Sequence, residues 1–428
     1  MIPPPYEGGG QEGVEFFGQP SPNPSLYKGE ESEQHEVGRG LMIRNFVFVC
    51  VIFSIATMAY AQKTPDWMAE KIISALKLGP GERVLIRFDP QYMQDLVLPL
   101  RQKIREAGAV DLGALEYIED ASRLESLPEN QSKRKIVAQV QQQAFEELLN
   151  SVDVYLWLAV SEKRDLYSGE EDALHAWLKK GGPRREIHFH WRSGSMMPDG
   201  LPGKHTAALD EIYGDALDID YAVLSGEQEK AIRFLRSGPI HVTTPAGTNL
   251  TFEVRNRPFN KQDGDASIAR VQAAKVLVDR EIELPAGVIR VAPMEQTVQG
   301  TLVLPRARFG DVTARNVRME LANGKITSIR ADEHQAEVEQ QLSQVGDAGH
   351  RFREFALGMN PKLISTAGDS VIPYYGYGAG IVRLSLGDNQ ELAGAVKGSF
   401  VRWFFFPDAT VEVNGRAIVK DGKLVSAY

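Results

Sequence analysis

Between Trp67 and Trp191 the chain alternates two apolar textures, and that alternation constrains its fold more than any other feature. Trp67, Met68, Ile72, Ile73 and Leu76 recur at helical spacing until Gly79-Pro80-Gly81 stops them. Val84–Phe88 (VLIRF) reads as a short strand of the buried type. A helix around Asp95–Glu106 ends at Gly108, and LGALEY from Leu112 begins the next strand. Lys133–Leu149 predicts a long helix and VYLWLAV from Val154 a strand. Ser168-Gly-Glu-Glu171 is a capping box opening a helix that carries His175 and Trp177. REIHFHW, from Arg185 to Trp191, is a further strand. Repeated strand–helix units of this length predict a doubly wound parallel sheet.

After a helix from about Gln228 to Leu235 the pattern changes. HVTTPAGTNLTFEV from His241 reads as a hairpin turning at Ala246-Gly247, and VRMELANGKITSIRAD as another turning at Asn323-Gly324. ATVEVNGRAIVKDGKLV adds Asn414-Gly415 and Asp421-Gly422. A polar helix is expected from about Glu333 to Phe355. The fold class is therefore α/β: an N-terminal doubly wound parallel-sheet domain at 62–237, then a C-terminal α+β domain rich in antiparallel strands at 238–428. The expected boundary lies near Ser237-Gly238, and a length of 428 residues agrees with two domains.

The first sixty residues read differently. Residues 1–41 are rich in Gly, Pro, Ser and Glu and lack an apolar period, so no packed core is expected there. Residues 42–61 carry the marks of a signal peptide: Arg44, an apolar core from Phe46 to Ala56, and Ala59-Tyr60-Ala61 as the cleavage site. On that reading Met42 is the start, 1–41 is a gene-model extension, and the product is exported, periplasmic or secreted, free of the membrane after cleavage near Ala61. Cleavage removes the single cysteine, Cys50, so no disulfide framework or cysteine zinc site is expected. The net charge of −9 argues against nucleic acid as a partner.

Motifs with specific chemistry are scarce. The chain has no G-x-x-x-x-G-K-[ST], no G-x-S-x-G and no H-E-x-x-H. Gly376-Tyr377-Gly378-Ala379-Gly380 reads as a flexible turn, since it does not join a strand to a helix as a dinucleotide site requires. His188 and His190 share one face of a strand and suit a metal, but nothing nearby in sequence completes a ligand set, so a structural pair is the preferred reading. His350 and Glu354 are expected one helical turn apart, as a shared ligand pair or a surface pair.

Six stretches, in order, carry a resemblance over most of the chain. They are LKLGPGERVLIRFDP, PAGTNLTFEV at Pro245, ELPAGVIRVAPMEQTVQGTLV at Glu283, REFALGMNP at Arg353, GIVRLSLGDN at Gly380, and SFVRWFFFPDATVEVNGRAIVKDGKLV. Together they resemble the metallo-aminopeptidases typified by aminopeptidase T and aminopeptidase S. The resemblance implies homodimers and removal of N-terminal amino acids by two divalent ions of the zinc, cobalt or manganese class. It also implies ligand positions, and most are substituted here. The first glutamate falls on Val288, the second on Glu354, a histidine on Arg383, a tyrosine near Gln390, and a His and Asp on Arg402 and Phe404. Valine and phenylalanine cannot ligate, and a protonated guanidinium has no lone pair to donate. The expectation is therefore a homologue without its dinuclear site and without a cofactor. It would bind a small anionic or peptide-like ligand through Arg383, Arg402, Tyr374, Tyr375, Tyr377 and Trp403, or that region would be a filled core. The alternative is an active aminopeptidase with a metal site rebuilt from His188, His190, His350 and Glu354.

Overall fold

The structure is a computed structural model and describes residues 63–116, 140, 142–158, 168–191, 193–365 and 368–425. The stretches read as an extension and a signal peptide lie outside these residues, as do 133–139 and 141 of the helix expected from Lys133 and the capping-box side chains at 168–171. Among the described residues, no helix is long and apolar enough to cross a membrane.

The parallel sheet is built around β1 (Arg83–Phe88). β2 (Val110–Glu116) flanks it on one side, and β3 (Val154–Leu158), β4 (Arg185–His188) and β8 (Glu281–Glu283) follow in that order on the other. Alternation along β1 sends Val84, Ile86 and Phe88 to one face, with Ile72, Leu76, Leu100 and Ile104 of the helices Pro65–Leu76 and Pro90–Glu106. Leu85 points the other way, toward Tyr155 and Trp177, the latter on the helix Ser168–Lys179. Helices on both faces explain why Val84, Leu85 and Ile86 are apolar in succession. Both first-face helices start by the same device: a side chain at the cap (Thr64, Asp89) accepts a backbone N–H, and proline follows. Each aliphatic side chain fully buried here contributes about 1.5–3 kcal/mol.

The remaining strands make two antiparallel sheets. The larger has eight strands in the order β12-β11-β10-β6-β5-β16-β17-β18. These are β5 (Ile240–Thr243), β6 (Asn249–Phe252), β10 (Gln299–Phe309), β11 (Val312–Ala322), β12 (Lys325–Arg330), β16 (Thr410–Val413), β17 (Arg416–Lys420) and β18 (Lys423–Leu424). The hairpins expected from the sequence turn where it puts them, while β10 and β11 turn at Gly310-Asp311, which the sequence reading did not single out. Asn323-Gly324, Asn414-Gly415 and Asp421-Gly422 all have both central φ angles positive, which the primed turns of twisted hairpins need. The smaller sheet runs β15-β14-β13-β9-β7. It comprises β7 (Asn260–Gln262), β9 (Val288–Val291), β13 (Phe352–Gly358), β14 (Val382–Gly387) and β15 (Val401–Phe406). The two sheets share a core: Val242, Leu250 and Phe252 meet Ile289, Val291, Phe355, Leu384 and Phe404.

Two local expectations are corrected. The helix expected over Glu333–Phe355 spans only Gln335–Gln344. Gly346, at φ +72, follows it, a short turn Asp347–His350 comes next, and Glu354 lies in β13. His350 and Glu354 are thus not one helical turn apart. Phe352, Phe355 and Leu357 are buried in the intersheet core, with a bulge between Phe352 and Glu354, and that apolar demand imposes the strand. β4 also stops at His188, short of Trp191.

Candidate functional site at the carboxyl edge of the parallel sheet

Alternation in the small sheet sorts its charged residues. Ile289, Val291, Phe355, Leu357 and Leu384 enter the intersheet core, while Arg290 and Arg383 lie on the opposite face, each paired in register with Ala356. There Arg383 reaches Glu354 Oε1 with Nε at 3.0 Å and Nη2 at 2.8 Å. Arg290 Nη2 donates to Glu354 Oε2 at 3.0 Å and to Glu391 Oε1 at 2.6 Å. Arg353 donates to both carboxylates as well. Burial works to raise the pKa of Glu354, but the charges of Arg290, Arg353 and Arg383 outweigh it and hold the carboxyl far below its ordinary range. Glu391 is lowered for the same reason, with Arg353 and Arg290 overcoming desolvation. Gln390, the position matched to a tyrosine, is exposed; its neighbour Glu391 makes the contacts.

Arg402 lies elsewhere. In the β14–β15 register it pairs with Leu386, and Trp403 with Ser385, so Arg402 and Phe404 face the intersheet core while Trp403 faces with Arg383. The Arg402 guanidinium lies 4.2 Å from the Phe309 ring and donates to the carbonyls of Asp199 at 3.3 Å and Arg308 at 2.5 Å. Val288 and Phe404 are buried apolar residues. The two arginines grouped by the sequence reading are therefore on opposite faces of one sheet.

The aromatic residues of that reading do gather on the Arg383 side. The Arg383 guanidinium lies 5.0 Å from the Trp403 ring, and its Nη1 donates to the Tyr375 carbonyl at 3.2 Å. Tyr375 meets Trp403 edge-on at 5.6 Å. Tyr374 and Tyr375 are consecutive non-glycine residues at φ +38 and +51, a conformation that needs outside support. Tyr213 and Gly194 supply it: the Tyr374 N–H donates to the Tyr213 hydroxyl at 3.0 Å and the Tyr375 N–H to the Gly194 carbonyl at 2.8 Å. Tyr213 is itself held by Ser195 at 2.9 Å, and His205 bridges from near Ser195 to Asp210 at 3.0 Å. Tyr377 is buried, its ring 5.5 Å from that of Tyr374. Burial is the largest force pushing the Tyr374 and Tyr377 hydroxyls up, so both stay protonated. Among the described residues, the Trp403 indole nitrogen and the Ser385 hydroxyl, on this same face, have no hydrogen-bond partner.

Beneath the tyrosines lies a second cluster. β4 and β8 pair in parallel with Glu186 beside Glu281 and His188 beside Glu283. His188 Nδ1 is 3.1 Å from Glu283 Oε1, and its Nε2 is 3.2 Å from Glu186 Oε1. His190 Nε2 is 3.8 Å from Glu283 Oε2, and its Nδ1 is 3.1 Å from Ser193 Oγ. Tyr374 Oη stands 3.4 Å from Glu283 Oε2. The Trp157 ring lies edge-on 4.9 Å from each imidazole. Desolvation opposes a charge on His188, yet Glu186 and Glu283 overcome it and lift its pKa well above the ordinary value. Burial pushes Glu281 up to about 8 against the pull of His188. His188, His190 and Glu283 each offer one ligand atom, all within 4.8 Å of one another, so these residues suit a metal ion.

No family model matches this sequence, and no curated protein matches it. Among solved structures, wild-type AmpT from Thermus thermophilus matches with a TM-score of 0.58 and 15% identity, over 84% of this chain and 98% of its own. This chain has an aminopeptidase-like fold. The 2,5-dihydroxypyridine dioxygenase from Pseudomonas putida KT2440 also matches, with a TM-score of 0.54 and 16% identity, over 85% of this chain and 97% of its own. Two names as different as these on one fold mean that chemistry must be argued from the residues.

Sequence reasoning did not find Glu283, Glu186, Arg290, Arg353 or Glu391 as site residues. A signal existed for the first two, because Glu186, His188 and His190 alternate, as do Glu281 and Glu283. What sequence could not supply was the β4–β8 pairing that sets the two runs side by side.

Proposed function

We propose that this is an aminopeptidase-fold protein that has lost dinuclear metal chemistry and binds a small, peptide-like ligand against the face formed by Arg383, Ser385, Trp403 and Tyr375. The observation that carries the reading is Glu354. It is the one carboxylate retained at the ligand positions, and three guanidiniums engage it where relatives would place dications. The Arg383 donors are spent on Glu354 and the Tyr375 carbonyl, which favours a peptide-like ligand over a free anion bridged by two arginines. The unpartnered donors of Trp403 and Ser385 support a ligand with a carbonyl or carboxylate acceptor there. Homodimerisation and export, carried by the resemblance and by residues 42–61, belong to this reading too.

The test is to load the full chain with excess zinc, cobalt or manganese, desalt it, and offer a panel of aminoacyl p-nitroanilides. No release above the metal blank is expected. Free dipeptides are expected to raise the melting temperature of wild type and not of Trp403→Leu. Metal-dependent release of p-nitroaniline would restore the active aminopeptidase reading.

A further inference from the structure

We propose that His188, His190 and Glu283 form a mononuclear site for a first-row transition-metal dication. The site is separate from the positions at which the resemblance places the dinuclear pair, and it goes beyond the ligand reading above.

Four observations converge. The donors sit where open α/β sheets bind ligands, at the carboxyl ends of parallel strands, since His188 ends β4 and Glu283 ends β8. Their ligand atoms lie within 4.8 Å of one another, close enough for a single ion to draw together.

The outer contacts are those a metal histidine needs. His188 turns Nδ1 toward Glu283 and Nε2 toward the Glu186 carboxylate. His190 turns Nε2 toward Glu283 and Nδ1 toward the Ser193 hydroxyl. Each imidazole thus has one nitrogen facing the common carboxylate and the other held by an acceptor, which fixes ring orientation and tautomer. Glu283 is placed in turn by its backbone N–H, which donates to Gln262 Oε1 at 3.0 Å, and by Tyr374 beside Oε2.

The cluster is also reachable. His188, Glu283, Trp157 and Tyr375 are each only partly buried, so an ion held by three protein ligands keeps positions open to solvent or a small molecule. Two imidazoles and one carboxylate select zinc, cobalt, iron(II) or manganese over calcium and magnesium, which prefer all-oxygen cages.

The experiment uses the full chain, stripped with chelator and titrated with Co2+. Visible absorption and the ion-to-chain ratio after desalting are the readouts. About one retained ion per chain with an open-site cobalt spectrum is expected. The retained ion should fall to background in His190→Ala and in Glu283→Gln, whose circular dichroism and metal-free melting report whether they fold. X-ray absorption on zinc-loaded wild type needs no variant and should count two imidazole ligands. No retained ion in wild type, an undiminished ion in a folded variant, or fewer than two imidazoles would each overturn the site.

Discussion

Two buried clusters of charge lie on either side of the Tyr374–Tyr375 turn, and they differ in what they can exchange. Around Glu354 and Glu391 every cation is a guanidinium, which neither releases a proton nor donates a lone pair. That cluster can only be kept or broken. Around Glu283 the bases are imidazoles, which can offer a ring nitrogen as a ligand. The first cluster is the more deeply buried, but what most separates the two is the identity of the base. The lesson is that the chemistry open to a buried carboxylate follows from its bases: arginine can only hold it in place, whereas an imidazole can also offer a lone pair.

The comparison breaks first at Glu354. Glu354→Ala leaves Glu391 alone against three buried guanidiniums and strips Arg383 of its carboxylate, and uncompensated buried charge costs about 3–5 kcal/mol. Denaturant melts should show that loss, and a loss below about 1 kcal/mol would mean that water, not Glu354, neutralises the arginines.

The next effect is on pH. Glu354 and Glu391 both have folded pKa values below the ordinary 4.5. Their contribution to stability is therefore full above about pH 4.5 and is lost as pH falls through the folded values. Calorimetric melting temperatures should drop on acidification below that point, and Glu391→Gln should flatten the fall. An equal slope in the variant would remove Glu391 from the account.

Two smaller effects sharpen the other side. Glu186→Gln keeps the shape but weakens the acceptor behind His188, so cobalt affinity should fall about 10- to 100-fold with stoichiometry unchanged. Ser193→Ala removes a neutral acceptor from His190 and should weaken binding less than Glu186→Gln does. Reversal of that order in a competition titration would show that His190, not His188, is the ring whose orientation limits binding.

Much of the fold was legible because it rests on local signals. Strand–helix alternation predicts the parallel sheet, and Asn-Gly and Asp-Gly predict the primed turns that the backbone adopts. The Glu333–Phe355 segment misled because its polar texture is helical, while the residues that decide β13 are Phe352, Phe355 and Leu357, whose partners lie across two sheets. The site was half legible for the same reason. Arg383, Trp403 and the tyrosines meet as a group, but period-two alternation sends Arg402 to the opposite face, and only strand register reveals that. Glu283 was hidden more deeply, because its partner His188 is its neighbour through a parallel pairing of strands far apart in the chain.

That long-range pairing also has a consequence in time. As the chain leaves the ribosome at about 5–20 residues per second, β4 is complete seconds before β8 exists. During that interval β4 is an open edge that another nascent chain or a chaperone can pair with. The two histidines emerge long before their carboxylate, so an ion that needs all three must be taken up late, by a chain that has already committed most of its sequence to folding.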